Sequence, residues 1–217
     1  MGLFNFGKAK GPAPGPAAGP DLVREQGQME DLRELVRHMD EDRALLIGAL
    51  QKLQPGLSPE ELASALFDLC FRPLGLAAFF LALADWEADA LHFPLYHEGG
   101  RSRPRPWRRL SESPGLTGQT LSQAQPLYVR TLEEGKAFGV VLSEVEKESG
   151  LVPQSWYGVP LGAGLAWGTR PFGVVSFQSF QPDAFTGSRR GLMQALGEVL
   201  AFAIKADPER PLVGQRP

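Results

Sequence analysis

The chain has 217 residues, 43% of them hydrophobic and 22% charged, enough for one well-buried domain with extensions and short for two full domains. A formal charge of −3 and a pI near 5.7 leave no global field to draw it toward nucleic acid or anionic lipid, so nucleic acid is not an expected partner. The single cysteine, Cys70, excludes an intrachain disulfide, a multi-cysteine zinc site and a two-thiol redox cycle, and fits a reducing, cytoplasmic setting.

The opening MGLFNFGKAK lacks the sustained apolar core and small-residue cleavage site of a signal peptide. No run approaches the length of a membrane span, so integral membrane association is not expected. Gly2 suggests N-myristoylation, but that pattern wants Ser or Thr at position 6, where Phe6 stands. Residues 11–20, GPAPGPAAGP, can neither bury a core nor hold a helix and read as a semi-extended linker. They set residues 1–10 apart as a tip, in which Leu3, Phe4 and Phe6 beside Lys8 and Lys10 fit a disordered terminus, a short docking peptide or a weak surface anchor. Residues 1–20 are thus read as flexible tip and linker.

From Asp21 helix formers dominate until Pro55, with a seven-residue rhythm. Leu22, Met29, Val36, Arg43 and Leu50 fall at a, and Glu25, Leu32, Met39, Leu46 and Leu53 at d, so eight of the ten are apolar. A seam that narrow predicts a coiled-coil helix over 21–54 and a homodimer held by Leu22, Met29, Leu32, Val36, Met39, Leu46, Leu50 and Leu53. Arg43 and Glu25 cost stability there and suit a role in register or partner number. The alternative is an amphipathic helix packed on its own domain.

Ser58 is a good N-cap, Pro59 suits the first helical position and Glu61 completes a capping box. The helix that follows carries Leu62, Leu66, Leu69 and Cys70 on one side, so Cys70 reads as a small buried residue before a nucleophile or cofactor attachment. GLAAFFLALA, from Gly75, predicts a central strand buried on both faces, and ALHFPLYH, from Ala90, its hairpin partner. RSRPRPWRR, from Arg101 to Arg109, sets five arginines around Trp107. It fits a solvated loop whose charges offset the acidic remainder better than a clamp for phosphates and bases.

A turn and short helix are expected from Ser113, a strand over 126–130, and an amphipathic helix from Ala137 to Glu148 with Val140, Val141 and Val145 on one side. Two β-rich runs, 155–161 and 172–180, are joined through Gly162, Gly164 and Gly168, and on a strand Trp156 and Tyr157 point to opposite faces. Thr186 caps a helix from Gly187 to about Lys205, in which Leu192, Met193, Leu196, Val199, Leu200, Ala203 and Ile204 keep helical spacing. Residues 207–217 read as a loose, Pro-rich tail.

This order predicts an α+β fold: one mostly antiparallel sheet flanked by helices and preceded by a long N-terminal helix. Residues 115–204 resemble a GAF domain in three pieces: GLTGQTLSQAQPLYV, similar to the family's glycine-leucine start and short helix ahead of the third strand; SWYGVPL; and FGVVSFQSFQPDAFT, running into the closing helix. Residues 59–100 fit the family's first helix and hairpin by position, which makes 57–206 a GAF-like domain.

The resemblance implies a sheet and helical layer that enclose a small-molecule pocket in many members and serve dimerisation or protein contacts in others. Members that resemble free methionine sulfoxide reductases need more than one cysteine. Bilin-binding members attach the chromophore through a cysteine, and here Cys70 lies in the predicted first helix without the usual neighbouring motifs. The cyclic-GMP signature, an Asn-Lys pair with a later Phe and an acidic pair, is not met by Phe185 and Asp183. His92 and His97 read as ordinary polar strand residues before haem ligands.

His38, His92 and His97 lack metal spacing with helical carboxylates, no serine sits in a nucleophile elbow, and no glycine loop has a phosphate-binding form. With 13 residues after the closing helix, no room is expected for a kinase, cyclase or DNA-binding output, so a signal would leave through the coil, the tip or the domain surface. The expectation is a non-catalytic cytoplasmic regulator in which a dimeric GAF-type domain senses a small molecule or partner and transmits by protein contact. The alternative is a ligand-free scaffold or adaptor that uses fold and coil to localise a partner. Ligand contacts are expected at Thr117, Trp156, Tyr157, Gln178, Arg108 and Arg109; no cofactor is named.

Overall fold

The computed structural model describes residues 20–206, apart from 99, 104, 113, 114, 141, 143 and 164–169. The tip with Leu3, Phe4 and Phe6, the tail 207–217, Gly164, Gly168, Val141 and the side chains of Leu22 and Val145 lie outside the described residues.

Two compact units divide at Glu41 and Asp42. The described part of the first belongs to α1 (Pro20–Lys52). On it Met29, Leu32, Leu35, Val36 and Met39 are all exposed, each by half or more of its surface. Arg37 reaches Glu34 at 3.5 Å and Glu41 at 3.9 Å, exposed pairs of small energetic weight.

In the second unit a seven-stranded sheet, antiparallel at every pairing among the described residues, carries helices on both faces. In chain order come α2 (Pro59–Cys70), β1 (Ala78–Asp85), β2 (Ala90–Glu98), β3 (Arg101–Ser102), β4 (Arg105–Arg109), α3 (Leu116–Gln123), β5 (Leu127–Val129), α4 (Leu132–Ala137), α5 (Glu144–Ser149), β6 (Ser155–Leu161), β7 (Gly173–Ser179) and α6 (Gly187–Lys205). The strands line up as β3-β2-β1-β7-β6-β5, with β4 also paired to β2. β1, β6 and β7 are inner strands, and their nearly continuous burial explains runs that do not alternate with polar residues.

The larger core lies between the sheet and α2, α6 and the end of α1. Across the sheet β2, β1, β7, β6 and β5 present His97, Phe79, Phe177, Tyr157 and Tyr128 in register, a row of five rings under the helices. Phe79 meets Phe177 edge-on at 5.5 Å, Tyr128 meets Tyr157 at 6.1 Å, and Phe67 of α2 lies 3.9 Å from the His97 ring. α6 comes down closely because it has Gly197 there: a Cβ would stand 2.7 Å from Val159 Cγ1.

Helix ends follow the expected chemistry. The Ser58 hydroxyl accepts from Glu61 N–H at 3.2 Å while the Glu61 carboxylate accepts from Ser58 N–H at 2.7 Å. Thr186 accepts from Arg189 N–H at the start of α6. The turn before it, PDAFT, is held by Tyr128, whose hydroxyl donates to Asp183 Oδ1 at 2.8 Å and accepts from Phe185 N–H at 3.3 Å, with the Arg190 guanidinium 4.5 Å over its ring. Burial, then the bond to Asp183, raises the Tyr128 pKa. Tyr128→Phe removes both hydrogen bonds and is expected to lower stability by about 1–2 kcal/mol in urea titration; a loss under about 0.3 kcal/mol would show that the turn is held by packing alone.

Four expectations are corrected. The sheet domain does not begin at 57: Leu45, Ala49 and Leu53 are buried in its core and Leu46 packs against it. Leu46 and Leu53 therefore leave the dimerisation seam, because from residue 45 the apolar stripe of α1 finds partners on its own domain. The arginine-rich stretch is no loop but β3 and β4 on β2, where each strand offers its outward residues to solvent. The helix expected over 137–148 is two: α4 stops at Ala137 ahead of Gly139 at φ +77°, and α5 starts at Glu144. No helix among the described residues is long and apolar enough to cross a membrane.

Candidate functional site

The sheet face opposite α2 and α6 carries a second, smaller core of Phe80, Tyr96, Trp156, Val129 and Val174, roofed by Leu116 and Leu121 of α3 with Phe138 and Val140 beside them. Register sets its floor. Glu98, Ala78, Gln178, Trp156 and Val129 oppose one another across five strands, and the neighbouring row is Tyr96, Phe80, Ser176, Gly158 and Leu127. At Gly158 a Cβ would run into the Trp156 ring two residues back on the same face. The missing side chain lets the indole lie across the strand.

An open cavity of about 220 Å³ stands over this floor, walled by Leu91, Phe93, Tyr96 and Trp156 and reached by Thr117, Gln178 and Arg108. A recess of about 50 Å³ continues from it and shares Leu116, Val140, Glu146, Trp156 and Gln178. Phe80 stacks on Tyr96 at 5.6 Å and meets Phe93 edge-on at 5.8 Å, so the aromatic wall is buttressed from the sheet. Charges sit at the rim: Arg108, Glu112 and Glu146. The floor polar groups that line the cavity are neutral, Gln178 donating from Nε2 to Ser176 Oγ at 3.2 Å, while the buried Glu98 at the end of the row is not in the lining.

Four of the six expected ligand residues are brought together here: Thr117, Trp156, Gln178 and Arg108. The other two are not. Tyr157 points to the opposite face, into the larger core, where burial raises its pKa. Arg109 lies off the cavity, 3.8 Å from Glu112. Sequence reasoning missed Leu91, Phe93, Tyr96 and Glu146. The cause on β2 is a bulge: β1 steps from Leu81 to Leu83 while β2 steps from Leu95 back to His92, so Phe93 and Tyr96 share a face that simple alternation denies them.

The same register settles the histidines. His97 and His92 oppose Phe79 and Leu83, both in the larger core, so β2 turns them away from the cavity. Cys70 is also on the helical side, wholly buried, and desolvation pushes its pKa up to about 12. Cys70 in the folded protein is accordingly expected to react with a thiol reagent at pH 8 at least about 100-fold more slowly than in denaturant; equal rates would contradict its burial. No group of three or more His, Cys, Asp or Glu suited to a metal ion occurs among the described residues.

A match to the GAF domain family extends over residues 32–204. The chain belongs to the GAF domain family. The matched span begins inside α1, in keeping with a GAF core that includes the end of that helix. Among solved structures, the GAF domain of an Acinetobacter phosphoenolpyruvate-protein phosphotransferase is similar at 16% identity and TM-score 0.59, covering 77% of this chain and 92% of that one. Free methionine-R-sulfoxide reductase from Neisseria meningitidis, in complex with its substrate, is similar at 14% identity and TM-score 0.58, covering 76% and 89%. The A. aeolicus nlh2 GAF domain in an inactive state gives 14%, 0.57, 76% and 96%. At such identities the likeness is one of fold. No curated protein matched the chain in sequence.

Proposed function

We propose that this GAF protein is a non-catalytic regulator of the cytoplasm that binds a small molecule in the cavity over Gln178 and Trp156, pairs with a second copy through α1 and passes its state on by protein contact. The observation that carries the reading is the cavity floor: buried neutral hydrogen-bonding groups between aromatic walls, a lining suited to holding a ligand, with the one thiol on the far side of the sheet. The reductase neighbour acts on a substrate within the same fold, but a thiol as buried and as weakly acidic as Cys70 supplies no accessible thiolate for such chemistry. Pairing is supported by the exposed stripe Met29, Leu32, Val36 and Met39 at a and d spacing, which a second copy of the same helix would cover. Leu50, exposed at the next a position, is the seam's last member.

Native mass spectrometry of the full chain purified without denaturation tests both parts. A dimer carrying a discrete extra mass is expected. A dimer without added mass, unaltered by small-molecule extracts, would leave the scaffold reading in its place, and a monomer would remove the pairing.

A further inference from the structure

Gln178 lies at the centre of the cavity floor, nine-tenths buried, and lines both the cavity and its recess. Its side chain makes one hydrogen bond, Nε2 to Ser176 Oγ, and has no other partner among the described residues. A carboxamide carries two N–H donors and an oxygen with two lone pairs. One donor and the oxygen of this planar group are therefore left over and open on the cavity, where an occupant that displaced water without replacing its hydrogen bonds would leave each unpaired. Turning the amide over changes which end meets Ser176 and still leaves donor beside acceptor.

The other uncommitted polar groups are neutral as well: the Thr117 hydroxyl and the Trp156 indole N–H have no partner among the described residues. The charges stand at the rim and already have interactions, Glu112 with Arg109 and both Arg108 and Glu146 with partners of their own. An anion on this floor would lose its water against neutral groups and reach a cation, Arg108, only at the rim, while a wholly apolar molecule would strand the amide. The walls are flat rings, and about 220 Å³ is below the size of a drug-like site, which limits the occupant to one or two fused rings.

We infer that the cavity takes a small, flat, uncharged heterocycle with a hydrogen-bond donor and acceptor on neighbouring atoms, as on the edge of a lactam. Its edge pairs with the Gln178 carboxamide through two hydrogen bonds, and its ring packs on Trp156. This rests on the cavity being a ligand site.

The test measures binding of four bicyclic probes to the full chain by ligand-observed NMR and calorimetry: 2-quinolinone, N-methyl-2-quinolinone, quinoline-2-carboxylate and naphthalene. 2-Quinolinone is expected to bind, and to bind about tenfold or more weakly to Gln178→Met, which keeps the volume and removes the amide. The N-methyl compound, without the donor, is expected to be weaker by a similar factor on the native protein. Equal affinity for the N-methyl compound, no effect of Gln178→Met in a variant with unchanged near-UV circular dichroism, or displacement of 2-quinolinone by the carboxylate would each overturn the inference. Entry of naphthalene without 2-quinolinone would overturn it and leave the cavity a binding site; failure of all four would remove the cavity reading itself.

Discussion

Phe177→Ala is expected to lower the unfolding free energy by about 3–5 kcal/mol, measured by urea or thermal denaturation. Phe177 is fully buried on β7, an inner strand flanked by β1 and β6. Its ring sits in the middle of the row from His97 to Tyr128, edge-on to Phe79, with α2 and α6 above. Truncation removes the transfer free energy of a whole ring and leaves a void walled by strand backbone and the fully buried Phe79, within a core that also holds Leu196. Sheet hydrogen bonding fixes the backbone on both sides, so collapse into the void is limited. Against a usual total of about 5–15 kcal/mol, the variant stands at the edge of folding. A loss below about 1 kcal/mol would mean that the ring row is not the centre of the fold.

The second large effect concerns association. Leu32→Glu with Met39→Glu is expected to convert a dimer to a monomer in light scattering while the melting temperature of the sheet domain stays within about 2 °C, since neither side chain belongs to either core. Both are exposed by more than half, at consecutive d positions. Four carboxylates brought together in an apolar seam lose hydration without gaining a partner. Leu53→Glu should act in the opposite manner: Leu53 is 5% exposed in the sheet domain's core, so a charge there lowers stability first. A dimer that survives the double substitution would sink the pairing through α1.

Much of the fold was legible because local chemistry and tertiary demand agree. Ser58 and Glu61 close their capping box, Thr186 caps α6, and the apolar runs over β1, β6 and β7 are the strands buried on both faces. The heptad in α1 was legible as a stripe but not as an interface. Periodicity reports that a helix face is apolar and does not report what covers it, so Met29 and Leu53 read alike although one is exposed and the other buried in the domain's core. β4 escaped because its residues, Arg105 to Arg109, owe their extended form to hydrogen bonds from β2 rather than to any preference of arginine and proline.

The site divides along the same line. That Trp156 and Tyr157 face opposite ways follows from two-residue periodicity alone, and that the chain has a single thiol follows from its composition. Which of the two rings meets the cavity was settled by packing: α6 and the end of α1 claimed the Tyr157 face, and the shorter α3 left room over Trp156. The bulge in β2 then brought Phe93 and Tyr96 onto one face, and the cross-strand register set Gln178 between Ala78 and Trp156. Caps, strand runs and stripes are written in residues a few positions apart. A cavity is assembled from four strands and two helices separated by as many as 87 residues of chain, Leu91 to Gln178, and exists only once the strands are hydrogen-bonded in one register.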